Sequence, residues 1–176
     1  MSKLVLIDGN SLANRAFFAV PQLSNSEGFV TNAIYGFCNM LAKIQKDIKP
    51  DYVLVAFDAS RKVFRHEIYP EYKSNRHGMP EELRAQMPVL KEVLTAMGIE
   101  WIDAPGYEGD DIIGTVALQA TEKGIYTDII TGDRDSFQLI NDYCQVLFTR
   151  KGITELEKFN SLHLLEVYGL EPWQII

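Results

Sequence analysis

Tyr107-Glu108-Gly109-Asp110-Asp111 packs three carboxylates into four positions, between Pro105-Gly106 and the apolar pair Ile112-Ile113. Acids this close repel one another, and at neutral pH the repulsion is relieved by protonation, by water or by a bound cation. Four more acids stand in related settings. Asp8 follows the apolar run Leu4-Val5-Leu6-Ile7, Asp58 follows Tyr52 to Phe57, and Asp133 follows Tyr126 to Thr131, with Asp135 two residues on. No His or Cys accompanies them, and an oxygen-only ligand set suits Mg²⁺ or Mn²⁺ rather than zinc. Two such ions about 4 Å apart can activate a water and stabilise the leaving oxygen of a phosphodiester. Taken singly, each acid has a plainer reading. An Asp after a strand commonly caps a turn or helix, and an acid at a helix start favours the dipole. Capping needs only one or two acids per helix start, so it does not account for all seven.

The elements that must position these acids read as alternating strands and helices. Leu4 to Ile7, a short and fully apolar run, and Tyr52 to Phe57 have the pattern of buried parallel strands, with further strands expected at 126 to 131, 99 to 102 and 146 to 148. Between them, Asn10 or Ser11 is expected to cap a helix through Phe17-Phe18. A second helix starts at Asn32, with Ile34, Phe37, Cys38, Leu41, Ile44 and Ile48 on one face and Lys49-Pro50 at its end. Pro80-Glu81-Glu82 opens a helix that Gly98 stops, and Pro105 to Asp111 opens one that Gly124 stops. A short helix is expected after Asp135, with Phe137 and Leu139-Ile140 inward. A turn is expected at Lys151-Gly152, and a last helix from Asn160 to Tyr168 ends at Gly169. This alternation predicts one α/β domain with a mostly parallel sheet covered on both faces. Ligand sites in such sheets lie beyond the carboxyl ends of the strands, which would gather all seven acids at one edge.

Composition sharpens this. The net charge of −7 argues mildly against a nucleic-acid partner, but residues 61 to 77 carry five cations against two acids, a local +3 that leaves −10 on the rest. In that strip Phe64, Tyr69 and Tyr72 interleave with Arg65, Lys73 and Arg76. Aromatic faces can stack unpaired bases while the cations contact phosphates. The same composition also fits an ordinary solvated surface with half-buried aromatics. Its position directly after the Asp58 strand lets it reach over the acids, where Lys73 or Arg76 could neutralise transition-state charge. Cys38 and Cys144, the only two cysteines, imply neither a disulfide framework nor a zinc site. The N-terminal apolar run is too short for a signal peptide, and no run reaches membrane-spanning length, so a cytoplasmic protein is expected.

Five motifs occur in order: Leu6-Ile7-Asp8-Gly9-Asn10; Ala56-Phe57-Asp58; Phe64-Arg65-His66-Glu67 with Tyr72-Lys73 and Arg76; Tyr107 to Asp111; and Thr131-Gly132-Asp133-Arg134-Asp135. Together they resemble the 5′-to-3′ nuclease family that includes the domain of bacterial DNA polymerase I, a relative of flap endonucleases on the PIN-like fold. The resemblance covers essentially the whole chain, residues 1 to 176. It implies a three-layer α/β sandwich and a two-metal-ion enzyme that uses Mg²⁺ or Mn²⁺ to hydrolyse DNA at a 5′ flap, a nick or a single-stranded 5′ end. It implies metal positions at Asp8, Asp58, Glu108, Asp110, Asp111, Asp133 and Asp135, with Asp8, Asp58 and Asp111 also counted as catalytic. It further implies an arch or clamp over about residues 61 to 80. There Arg65, Tyr72, Lys73 and Arg76 contact DNA, Tyr72 by stacking on a base, and Lys73 and Arg76 act on the scissile phosphate. Family members continue into a Gly-Asp-x-x-Asp motif and a helix-hairpin-helix that binds duplex and potassium. Neither is present here, so one metal position is expected to be under-ligated and duplex affinity weak.

The alternative is a single-stranded-DNA-binding module that hydrolyses weakly or not at all. A haloacid-dehalogenase phosphatase needs a second Asp two residues after the first, and position 10 is Asn. A Walker-type NTPase is excluded for want of its Gly-rich Lys-Ser/Thr loop. A monomer with no membrane association is expected.

Overall fold

The computed structural model describes residues 2–59, 63–74, 78–150 and 155–175. The apolar runs become strands β1 (Lys3–Asp8), β2 (Tyr52–Phe57), β3 (Glu100–Asp103), β4 (Tyr126–Thr131) and β5 (Cys144–Thr149), all parallel, with β6 (Leu156–Phe159) antiparallel to β5. They form one sheet in the order β3-β2-β1-β4-β5-β6. The sequence predicts no strand at β6. It is a four-residue edge strand carrying Glu157 and Lys158, and charges on an exposed edge erase the apolar pattern that marks the buried strands.

The helices are α1 (Gly9–Ala19), α2 (Asn32–Ile48), the single turn α3 (Arg65–Ile68), α4 (Glu81–Ala96), α5 (Gly109–Glu122) and α6 (Ser161–Tyr168), with a 3₁₀ segment at Arg134–Leu139. Because side chains alternate across a strand, each strand feeds two cores. Val5, Ile7, Val55 and Phe57 pack with α1, α2 and α4, while Leu6, Ala56, Ile129 and Val146 pack with α5, α6 and Phe137 of the 3₁₀ segment. The result is the expected three-layer α/β sandwich. On α2 the buried stripe comprises Ala33, Gly36, Phe37, Met40, Leu41 and Ile44. It is rotated from the predicted one, which leaned on the half-buried Ile34 and Cys38. Small Gly36 belongs to the stripe because α1 crosses there: a Cβ on it would come within 2.8 Å of the Ala16 side chain. Left-handed Gly98, Gly124 and Gly169, at φ 70, 66 and 69, end α4, α5 and α6.

The chain winds outward from β1 in both directions, to β2 and β3 on one side and to β4 and β5 on the other. The winding reverses between β1 and β4, the position at which ligand sites lie in such sheets. The predicted turn at Lys151-Gly152 lies outside the described residues. Among the described residues no helix is long and apolar enough to cross a membrane.

Candidate metal centre and nucleic-acid interface

Asp8 is the last residue of β1 and sits at the reversal point. Sequence reasoning proposes Asn10 or Ser11 as the cap of α1, but the cap is Asp8 itself, whose Oδ1 accepts the Ser11 N–H at 2.9 Å. Its other oxygen, Oδ2, accepts the Thr131 hydroxyl at 2.8 Å. Capping and site membership are therefore not competing roles for Asp8. Burial pushes its carboxyl up to about 6 against these two hydrogen bonds, and repulsion from Asp58 and Asp133 adds to the rise.

Asp58 follows β2 and accepts the Gly109 N–H at 2.7 Å, which ties it to the start of α5. Asn10 grips it twice: the Asn10 amide donates to Asp58 Oδ2 at 3.0 Å, and the Asp58 N–H donates to Asn10 Oδ1 at 3.2 Å. Asp133 follows β4. Its N–H donates to Thr131 Oγ1 at 3.0 Å, and its Oδ1 accepts the Asp135 N–H at 3.0 Å. Asp110, on the first turn of α5, retains solvent access but is pushed up to about 7. Partial desolvation is the larger cause, followed by repulsion from Asp8, Asp133 and Asp58. A helix N-terminus ordinarily favours an ionised acid. Here desolvation and three neighbouring carboxylates outweigh it.

Asp8, Asp58, Asp110 and Asp133 thus form one electrostatically coupled quartet. Its donors are all oxygen, and at neutral pH it carries repulsion that its own hydrogen bonds do not remove. A divalent cation fits this chemistry, since it would discharge the repulsion and keep the carboxylates ionised. Among the described residues, no three or more His, Cys, Asp or Glu side chains are drawn into a ready coordination shell.

The other three predicted acids are arranged differently. Asp135 is exposed, and its backbone joins the turn held by Asp133. Glu108 and Asp111 are engaged by the basic strip. Arg65 forks onto Asp111, Nη1 to Oδ2 at 2.8 Å and Nη2 to Oδ1 at 2.7 Å, and reaches Glu108 Oε2 at 3.2 Å. Lys73 Nζ donates to Glu108 Oε1 at 2.6 Å, and the Tyr72 hydroxyl donates to Glu108 Oε2 at 3.0 Å. The Glu108 N–H donates back to Asp111 Oδ2 at 2.9 Å, closing a capping box at the start of α5. The Arg65 guanidinium holds the Asp111 carboxyl below its ordinary range. It also lies 4.7 Å from the centre of the Phe64 ring, which stays partly exposed. Tyr69 is exposed. Arg76, the remaining predicted DNA contact, lies outside the described residues.

Sequence reasoning gives Asn10 and Ser11 only a capping role and Thr131 none, whereas in the structure all three orient the acids. Ser11 accepts the Gly132 N–H on its hydroxyl at 2.9 Å, joining the β1 and β4 loops. Their only signal is adjacency, because each flanks an acid in a strand-end motif.

Over residues 3–169 the sequence matches the family described as 5′-3′ exonuclease, N-terminal resolvase-like domain. The chain belongs to that family. Among related proteins, it is 51% identical over 174 residues to DNA polymerase I of Bacillus subtilis (strain 168), a match covering 99% of this chain and 20% of that protein. It is 47% identical over 173 residues to DNA polymerase I of Mycobacterium bovis, covering 97% of this chain and 19% of that protein. The chain therefore spans about a fifth of the length of these relatives. The fold of this 5′-3′ exonuclease domain is also that of bacteriophage T5 5′-exonuclease with bound zinc. The TM-score is 0.72 at 21% identity, covering 97% of this chain and 62% of the phage protein. The T5 flap endonuclease in a pseudo-enzyme–product complex with DNA and metal ions matches with a TM-score of 0.70 at 20% identity, covering 98% and 62%.

Proposed function

We propose that this 5′-3′ exonuclease domain is the catalytic core of a divalent-metal-dependent nuclease that hydrolyses phosphodiesters near DNA 5′ ends, as an exonuclease and on flaps. The observation that carries the reading is the quartet Asp8, Asp58, Asp110 and Asp133, an oxygen-only acid set at the reversal point of a parallel sheet. These four would hold Mg²⁺ or Mn²⁺, two ions in the complete site, with Glu108, Asp111 and Asp135 as additional ligands. When bound, such ions supply an activated water and charge stabilisation for the leaving oxygen. The solved T5 proteins carry divalent ions and DNA, which supports the cofactor and substrate class.

The remaining roles follow from side-chain chemistry. Asn10 and Thr131 orient Asp58 and Asp8. Residues from about 61 to 80 act as the arch over the 5′ strand, with Arg65 on backbone phosphates and Tyr72 stacking on a base. Lys73 and Arg76 neutralise charge that builds on the scissile phosphate. The substrate is DNA with a 5′ flap, a nick or a single-stranded 5′ end, and the acting unit is a cytoplasmic monomer.

The test is cleavage of a 5′-labelled flap DNA with Mg²⁺, with Mn²⁺ and with EDTA, beside Asp110→Asn. Product that requires the metal and falls at least ~100-fold in the variant is expected. A folded chain that binds the DNA in a salt-sensitive way and yields no product with either metal would support the reading as a single-strand-binding module instead.

A further inference from the structure

Glu108 and Asp111 differ from the quartet in the charge of their partners: Asp8 and Asp58 accept only neutral backbone, hydroxyl and amide donors, whereas Glu108 and Asp111 are gripped by cationic side chains. Arg65 takes both oxygens of Asp111 at 2.7 and 2.8 Å and one of Glu108, whose oxygens are also taken by Lys73 at 2.6 Å and Tyr72 at 3.0 Å. Among the described residues, the backbone of the segment that supplies these donors is tied to the rest of the fold only at its start. There the Phe64 N–H donates to the Gly106 carbonyl at 2.9 Å and Val63 bridges to Gly106. Its grip on the acids is made by the ends of partly exposed side chains. Lys73 makes its contact from a left-handed backbone, φ 55, a conformation unfavourable to any residue with a Cβ. A segment lightly anchored, locally strained and held down by charge pairing is built to lift.

We propose that Arg65, Tyr72 and Lys73 form a latch that occupies Glu108 and Asp111 in place of a divalent ion until DNA arrives. The inference rests on the metal site proposed above and adds an order of events to it. Guanidinium and ammonium groups bind phosphate as readily as carboxylate. A DNA phosphate that reaches the segment therefore competes with the two acids for their donors. Its binding releases Glu108 and Asp111 as ligands, so DNA and metal strengthen one another's binding by linkage. Were the same contacts only a brace that pre-orients the acids for metal, loosening them would weaken metal binding. The two accounts predict opposite signs.

The experiment is a Mn²⁺ titration without DNA, following the paramagnetic resonance signal of the free ion. It compares this chain with Arg65→Lys and with the double variant Arg65→Lys, Tyr72→Phe. Both variants keep the charge, so through-space attraction is unchanged, while the fork onto Asp111 and the hydroxyl onto Glu108 are lost. The latch predicts Mn²⁺ binding tighter by roughly threefold in the single variant, and by more in the double. Unchanged or weaker binding in both variants, with circular dichroism melts like the parent's, overturns the latch and leaves the metal site standing. No Mn²⁺ binding by any of the three proteins overturns the metal site, and the latch with it.

Discussion

Thr131 and Asp8, 123 residues apart in the chain, are joined by a buried hydrogen bond of 2.8 Å from the threonine hydroxyl to the carboxylate. The same hydroxyl accepts the Asp133 N–H at 3.0 Å, so one oxygen ties together the acids that follow β1 and β4. Thr131→Val keeps the shape and removes both bonds. It should lower stability by about 1–3 kcal/mol, the cost of leaving buried polar groups unpaired, and weaken Mn²⁺ binding. Thr131→Ser should restore both. Urea melts and metal titrations of the two variants check this, and a Val variant equal to the parent in both would refute it.

The raised carboxyls make the metal-free chain sensitive to pH. Asp8 at about 6 and Asp110 at about 7 both lie above their ordinary 3.8. Over that interval the folded chain keeps protons that the unfolded chain has released, so stability is lost as pH rises from about 4 to about 7. Asp111 acts in the opposite sense but below this window, because Arg65 holds its carboxyl under the ordinary value. In EDTA the chain should be more stable at about pH 5 than at about pH 8, by on the order of 1–3 kcal/mol. Mg²⁺ should raise the melting temperature more at the higher pH. His163, raised by its bond to Glu157, acts in the same direction, so the decisive control is that Asp8→Asn flattens the profile. A profile equally steep in that variant would assign the effect elsewhere.

Gly9, between Asp8 and Asn10, has no room for a side chain. A Cβ there would lie 2.4 Å from a ring carbon of Phe57, which is fully buried and cannot swing clear. Gly9→Ala should therefore cost about 1–3 kcal/mol through overpacking. It should also disturb Asp8 and Asp58, which flank the two clashing residues. Calorimetry together with Mn²⁺ affinity tests it: the stability loss must come with weaker metal binding, since a pure core defect would leave the metal untouched.

Lys73→Ala should weaken binding of a 5′ single-stranded oligonucleotide. It should also reduce the slope of log affinity against log salt by about 0.7, the amount for one phosphate contact on a single strand. Anisotropy titrations at several salt concentrations measure both. An unchanged slope would remove Lys73 from the phosphate contacts.

The strand-end acids were legible because Asp8 and Asp58 follow apolar runs of four and six residues and Asp133 follows the stretch Tyr126 to Thr131 around Ile129-Ile130, and such stretches form buried parallel strands whose carboxyl ends share one edge. Asp8, Asp58 and Asp133 needed no more than that. The start of α5 was legible from Glu108 to Asp111, since acids crowd the first turn of helices. The edge strand β6 was not, because Glu157 and Lys158 interrupt its pattern, and only pairing with β5 makes it a strand. The cap of α1 lies two or three residues before the positions the sequence suggests: Asp8, Asn10 and Ser11 are all good caps, and only the turn geometry chooses among them.

What the sequence by itself determined is the inventory: which residue types are present, which acids end strands, and that a basic, aromatic strip follows the second of them. Local pattern suffices there, because periodicity and capping act over a few residues. The tertiary structure alone decided how the seven acids are divided. Asp8, Asp58, Asp110 and Asp133 come within electrostatic reach of one another at the reversal of the sheet, while Glu108 and Asp111 are held by Arg65, more than 40 positions earlier in the chain. Such pairings depend on which loops the fold brings within about 3 Å, the range at which hydrogen bonds and ion pairs act. No spacing within a motif carries that information.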